Sequence, residues 1–163
     1  MDPRSVTDSQ TQLIQWMGMT DANSAGFIHG GTVMKLCDEA AGAAAVKHSR
    51  CRVVTAGVDR MAFITPVHVG ELVTFSASVN AAWRTSMEVG VRVEAENPRT
   101  GERRHTNSAY LTMVAVDGDG KPVEVPKLIT ETDEQHAREA DAQVRRSNRL
   151  AEREEILKRR DGR

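Results

Sequence analysis

Gly30 and Gly31, adjacent at the end of a polar loop, and Asp38, set inside an alanine-rich run, are the residues whose types and spacing could do chemistry. Adjacent glycines let a backbone approach a bound group closely, or take conformations closed to other residues. A helix that starts there presents N–H groups with no intrahelical partner, a ready site for an anion or a polarised carbonyl. The plainer reading is a helix start that happens to be rich in glycine. Asp38 raises a different question. A carboxylate in a closely covered helix costs free energy unless it is paired, hydrogen-bonded or wetted by a site. Pairing with Lys35, three residues earlier on the same face, is the ordinary explanation.

Helix geometry limits how these groups can cooperate. Glu39 lies about 100° around the helix from Asp38, so the two cannot aim at one point. Asp38 follows Gly31 by seven residues, which puts both on nearly one face but roughly 10 Å apart along the axis. That is too far for one substrate atom to touch both within a chain. Joint action on one carbonyl therefore calls for the glycines of one subunit and Asp38 of another, an expectation of a dimer. His29 abuts the glycines and either shapes the loop or touches substrate.

Other motifs carry less. Gly30-Gly31 lacks the spacing of a dinucleotide fingerprint, and no Lys-Ser/Thr follows as in a phosphate-binding loop. Asp117-Gly118-Asp119-Gly120 starts like a calcium loop, but Lys121 and Pro122 stand where a ligand and the turning glycine belong, so it reads as a turn. His48, His68, His105 and His136 have no metal-ligand spacing and read as surface residues. No metal is expected. No serine sits in a G-x-S-x-G elbow. Cys37 and Cys51 form no metal pattern and read as reduced structural thiols.

The elements that must position these groups follow from periodicity. Residues 32–48 are long and rich in helix formers, with Lys35, Asp38, Glu39 and Gly42 on one polar stripe and small or apolar residues around the rest. That composition predicts a helix closely covered by other structure, its alanines letting a sheet approach. Residues 11–18 are a short strand candidate, and 53–63, 72–83, 87–96 and 104–116 read as four more. Val73, Phe75, Ala77, Val79 and Ala81 alternate with Thr74, Ser76, Ser78 and Asn80, a period that implies antiparallel strands with one buried face. The order of strand, long helix and strand meander is α+β, with one helix against an antiparallel sheet. Residues 1–10 read as loose. Residues 1–130 form the domain, and the charged 131–163 a helical extension or frayed tail. Within it Arg145, Arg146 and Arg149 are surrounded by acidic residues and do not suggest nucleic acid.

The 163 residues carry a net charge of −1, which excludes a general electrostatic attraction to nucleic acid. The start of the chain lacks a signal-peptide pattern and no apolar run reaches membrane-spanning length, so a cytoplasmic protein is expected. Aromatic content of 4% leaves the core to Val, Leu, Ile, Met and Ala.

Several of these motifs, taken in order, resemble those of a known family. Gly26-Phe27-Ile28-His29-Gly30-Gly31-Thr32, Asp38-Glu39-Ala40-Ala41-Gly42, Val54-Thr55-Ala56-Gly57-Val58-Asp59, Phe63-Ile64-Thr65-Pro66-Val67 and Thr85-Ser86-Met87-Glu88-Val89 are similar to segments of hotdog-fold acyl-CoA thioesterases, of the cytosolic acyl-CoA hydrolase type. The resemblance covers about residues 8–130. It implies a long helix wrapped by an antiparallel sheet, and hydrolysis of acyl-CoA to a free acid and CoA without a separate cofactor. It further implies a catalytic Asn in the loop, Asn23, and a catalytic Asp on the helix, Asp38, contributed by different hotdog units. The backbone of Gly30 and Gly31 would stabilise the oxyanion. CoA and substrate contacts are implied at Ala56, Gly57, Val58, Thr85, Ser86 and Met87, with His29 beside them. Vertebrate members carry two hotdog domains in tandem. This chain keeps both catalytic residues, so a homodimer would hold two complete sites, and bacterial members are often trimers of dimers. An acyl-CoA-binding module without catalysis is the alternative function. A hotdog dehydratase, which would need a catalytic His, fits the order of motifs less well.

Overall fold

A twenty-residue helix, α2 (Gly30–Ser49), lies against one face of a five-stranded antiparallel sheet in the computed structural model, which describes residues 1–162. The sheet comprises β2 (Thr11–Trp16), β3 (Arg52–Val58), β4 (Leu72–Ala82), β5 (Ser86–Glu96) and β6 (Arg103–Val116), in spatial order β2-β4-β5-β6-β3. The fold class expected from periodicity is the one observed. Ala40, Ala41, Ala44 and Ala45 of α2 are buried, and their small side chains let Val73, Phe75, Val79, Val89, Val91, Leu111 and Met113 close on the helix. The opposite flank of α2 stays open within one chain, where Met34, Lys35, Glu39, Ala43 and Val46 are exposed. The helix is thus covered on one side only.

Three expectations need correction. The first ten residues are ordered: β1 (Arg4–Ser5) pairs with β7 (Leu128–Ile129), and α1 (Val6–Ser9) opens with a capping box between Ser5 and Asp8. Val6 and Ser9 are buried, the Ser9 hydroxyl accepts from the Val79 N–H at 3.0 Å, and the Arg4 guanidinium donates to the Lys47 carbonyl at 3.1 Å. The strand predicted over 53–63 ends at Val58: its pairing with β6 resumes after a bulge between Thr55 and Gly57, and the side chain of the next residue, Asp59, is held by Arg149. His48 is fully buried. Its Nε2 donates to the Pro126 carbonyl at 2.9 Å, and burial lowers its pKa.

The charged C-terminal segment, expected as a helical extension or frayed tail, is a 29-residue helix, α3 (Asp133–Asp161), and its first half is docked on the other face of the sheet. Ala142 is the one buried residue there. Arg145 forks onto the fully buried Glu88 with contacts of 2.7, 3.1 and 3.2 Å, and its guanidinium stacks over the Tyr110 ring. Arg146 stacks over Trp83, and Arg149 grips Asp59 at 2.8 and 3.1 Å. Asn80 completes the Glu88 cluster, donating to its carboxylate at 3.2 Å. Gly90 is required beside it: a Cβ there would sit 2.6 Å from the Asn80 amide nitrogen.

Candidate active site

The loop that precedes α2 is built by its own backbone. The Asn23 N–H donates to the Phe27 carbonyl at 2.7 Å, and the His29 N–H to the Asp21 carbonyl at 2.9 Å. The Asn23 side-chain oxygen accepts from the N–H groups of Ala25 and Phe27 at 2.9 and 3.2 Å, folding the loop around it. Its amide nitrogen donates to no acceptor among the described residues, and the residue is half-buried. The loop rests on the segment before β4: Ile28 donates to the Val67 carbonyl, and Phe27 packs edge-on against His68.

That supporting segment is itself clamped. Glu71, 7% exposed, takes two hydrogen bonds from Arg104, at 2.5 and 2.9 Å, and one from the His68 N–H at 2.8 Å. Burial pushes the Glu71 carboxyl up, but Arg104 and the His68 N–H outweigh it and hold the pKa below its ordinary value. A lowered folded-state value means stability that is present above the ordinary carboxylate range and lost as pH falls through the lowered value. Glu71→Gln should therefore cost about 1–3 kcal/mol at neutral pH, with the gap to wild type narrowing below about pH 4. Urea unfolding of both proteins from neutral to acidic pH checks this.

At the start of α2, His29 is the N-cap but caps through no side-chain bond, and its ring is exposed. Its carbonyl accepts from Thr32 and Val33, while the N–H groups of Gly30 and Gly31 have no protein acceptor among the described residues. Phe63 packs on Gly30, where an added Cβ would meet its ring at 3.3 Å; above Gly31 the space is open. Two unpaired donors at the positive end of a long helix can hold a developing oxyanion.

Asp38 does not pair with Lys35, which instead lies 3.9 Å from Glu39. Asp38 is half-buried on the open flank of α2, and its Oδ1 accepts from the Thr55 hydroxyl of β3 at 2.5 Å. Thr55 thus fixes the carboxylate's orientation, a role that went unassigned in the sequence. Its signal there is a hydroxyl within the apolar run Val53-Val54-Thr55. The neighbouring Cys37 is buried, and burial, helped by Asp38, pushes its thiol up to about 12, which removes it as a nucleophile.

Of the other site candidates, Ala56, Gly57 and Val58 lie exposed on edge strand β3, at its bulge. Thr85 and Ser86 are half-exposed at the β4–β5 turn, but Met87 is fully buried in the core and can offer a ligand only its backbone. Within one chain Asn23 and Asp38 are not brought together by any contact, and the seven-residue separation of Gly31 and Asp38 along a continuous helix stands. Among the described residues no three His, Cys, Asp or Glu side chains converge on a metal-sized site, and no helix is long and apolar enough to cross a membrane.

Residues 25–102 match the model of the thioesterase superfamily. The chain is 37% identical over 139 residues to the cytosolic acyl coenzyme A thioester hydrolase of Rattus norvegicus, a match covering 84% of this chain but only 36% of that protein. The chain thus spans just over a third of the length of that relative. An apo hexameric acyl-CoA thioesterase superposes with a TM-score of 0.90 at 38% identity, covering 93% of this chain and 97% of the other. The acyl-CoA hydrolase of Staphylococcus aureus, solved with butyryl coenzyme A and coenzyme A, superposes with a TM-score of 0.88 at 32% identity, covering 95% and 94%. Variants of that enzyme carrying Ala in place of an Asn, an Asp and a Thr have also been solved. Those three positions follow one another in the same order and at the same spacing as Asn23, Asp38 and Thr55.

Proposed function

This chain belongs to the thioesterase superfamily, and on that premise we propose that it hydrolyses acyl-CoA thioesters to a free carboxylic acid and coenzyme A. One observation carries the reading: a carboxylate on the open flank of α2, oriented by a hydroxyl and otherwise unengaged, alongside unpaired N–H donors at the start of the same helix.

The N–H groups of Gly30 and Gly31 polarise the thioester carbonyl and hold the oxyanion. The free amide of Asn23 orients the carbonyl or the attacking water. Asp38, fixed by Thr55, acts as general base on water or attacks the carbonyl to form a mixed anhydride that water then opens. In either route the C–S bond breaks and the sulfur leaves as a thiolate, which needs no strong general acid. Coenzyme A enters and leaves as part of the substrate and product, and no separate cofactor takes part. Ala56, Gly57, Val58, Thr85 and Ser86 border the coenzyme A portion, the backbone of Met87 contributes at the turn, and His29 lies at the acyl end.

A homodimer completes the site. Strand β3 is an exposed sheet edge whose unpaired backbone can accept a second copy. That pairing brings the open flank of α2, with Asp38, toward the loop and glycines of the partner. A trimer of such dimers is the assembly suggested by the hexameric relative, and a cytosolic setting is suggested by the rat one.

The test is release of free thiol from a panel of acyl-CoA esters of graded chain length. Asn23→Asp keeps the acceptor that folds the loop but removes the donor, so it should lower kcat by roughly 10²–10³ with the melting temperature little changed. Tight acyl-CoA binding without thiol release would mean a binding module instead, and sink the hydrolase reading.

A further inference from the structure

Residues 59–71, which join β3 to β4, contain no helix or strand, yet they touch both parts of the half-site that precedes Asp38. Near one end of this strap Phe63 packs on Gly30. Near the other, His68 pairs with Phe27 in a single antiparallel bridge and their rings meet edge-on at 5.3 Å. Beside that bridge the Ile28 N–H donates to the Val67 carbonyl at 2.9 Å. Phe27 in turn is bonded to Asn23 twice. Its carbonyl accepts from the Asn23 N–H at 2.7 Å, and its N–H donates to the Asn23 side-chain oxygen at 3.2 Å. Asn23 therefore sits where residues 67 and 68 put it.

The two ends of the strap are anchored separately. At the Phe63 end the tie is backbone to backbone, from the Ile64 N–H to the Thr106 carbonyl of β6 at 3.1 Å. At the His68 end it is a side chain of β6. Arg104 donates to the Pro66 carbonyl at 2.6 Å and forks onto Glu71 at 2.5 and 2.9 Å, and Glu71 accepts from the His68 N–H at 2.8 Å. Met17 fixes the backbone of Gly70 and Glu71 beyond the bridge. Arg104 alone grips the strap on both sides of residues 67 and 68, directly at Pro66 and through Glu71 at His68. A planar guanidinium can make these contacts together, whereas an ammonium of the same charge is a point donor and cannot.

We infer that Arg104 is a positioning residue of the reaction: by clamping residues 66–71 it holds the Asn23 amide in place for the thioester carbonyl or the attacking water. The inference rests on the hydrolase reading above and adds to it a residue that touches neither substrate nor Asn23. Such placement matters because a shift of about 1 Å, caused far from the chemistry, can cost roughly 10²-fold in rate. A clamp that served stability alone would act equally on the wild-type chain and on the Asn23→Asp variant.

Arg104→Lys tests this through single-turnover thiol release in two backgrounds. In the otherwise native chain it should lower kcat roughly 10-fold or more, with affinity for a non-hydrolysable acyl-CoA analogue little changed. In the Asn23→Asp background, where the amide donor is already lost, it should lower kcat by no more than about twofold, while the fall in melting temperature is the same in both. Equal factors in the two backgrounds would overturn the inference, because Arg104 would then act independently of Asn23. An unchanged kcat in the native background would overturn it too, and leaves the hydrolase reading intact. If Asn23→Asp itself leaves kcat at the wild-type level, Arg104 has no donor to position and the inference falls while hydrolysis stands. A native chain that releases no thiol removes both. Should Arg104→Lys not fold, Glu71→Gln repeats the cycle, since it leaves one oxygen where Arg104 and His68 now use two, and the same outcomes decide.

Discussion

Asp38→Asn should lower kcat for acyl-CoA hydrolysis by roughly 10²–10⁴ while leaving the melting temperature within a few degrees of wild type. The substitution keeps the volume and an oxygen to accept from Thr55, so the hydrogen bond at 2.5 Å can persist. What is lost is the ability to take a proton or to form an anhydride. Single-turnover thiol release, alongside equilibrium binding of a non-hydrolysable acyl-CoA analogue, separates chemistry from affinity. An unchanged kcat would remove Asp38 from the mechanism. Thr55→Val should act through Asp38 with a smaller effect, and its signature is a displaced pH profile for kcat, which mere loss of packing would not produce.

Arg145→Met should produce the largest loss of stability, roughly 3–5 kcal/mol. Glu88 is fully buried, and Arg145 supplies its closest contacts; Asn80 at 3.2 Å and Arg149 at 3.7 Å remain and place the cost toward the lower end. The stem of the new methionine still covers Tyr110, so most of the loss is the uncompensated carboxylate. Glu88→Gln/Arg145→Met should recover a large part of it, because a neutral pair leaves no buried charge. Urea denaturation of the wild type, both single variants and the double gives the cycle. Limited proteolysis near residue 145 should be faster in the single variant than in wild type, since Arg145 links α3 to the sheet.

The central helix and the sheet were readable because their patterns are local. Val73 to Ala81 alternate strictly, and the alanines of α2 recur at positions that let the strands approach. The loop and glycine pair stood out for a similar reason, since a helix start is a local event. Contacts between distant segments left weaker traces. Glu88 sits on the polar face of an alternating strand, and nothing near it says that a helix 57 residues later will cover it. Arg145 and Arg149 looked like solvated charges because their partners, Glu88 and Asp59, are far away in sequence. The ten N-terminal residues are polar by composition, yet Val6 and Ser9 are buried there and Arg4 and Ser5 pair with β7, a strand far away in sequence. Thr55 was hidden in a strand that reads as apolar, and its role depends on which face of α2 approaches it.

Edge strand β3 also bears on how the chain survives synthesis. A newly folded single copy displays a seven-residue strand with one free row of backbone groups and with Val54 and Val58 exposed, the template on which disordered aggregates and fibres grow. Every lone copy is therefore a hazard until that row is occupied. In the proposed dimer, capture by a sister chain would end the exposure with a closed, finite object. Solubility in the cell and completion of the site would then depend on one and the same event, and variants that weaken it would be lost to proteolysis or inclusion bodies before their chemistry could be measured.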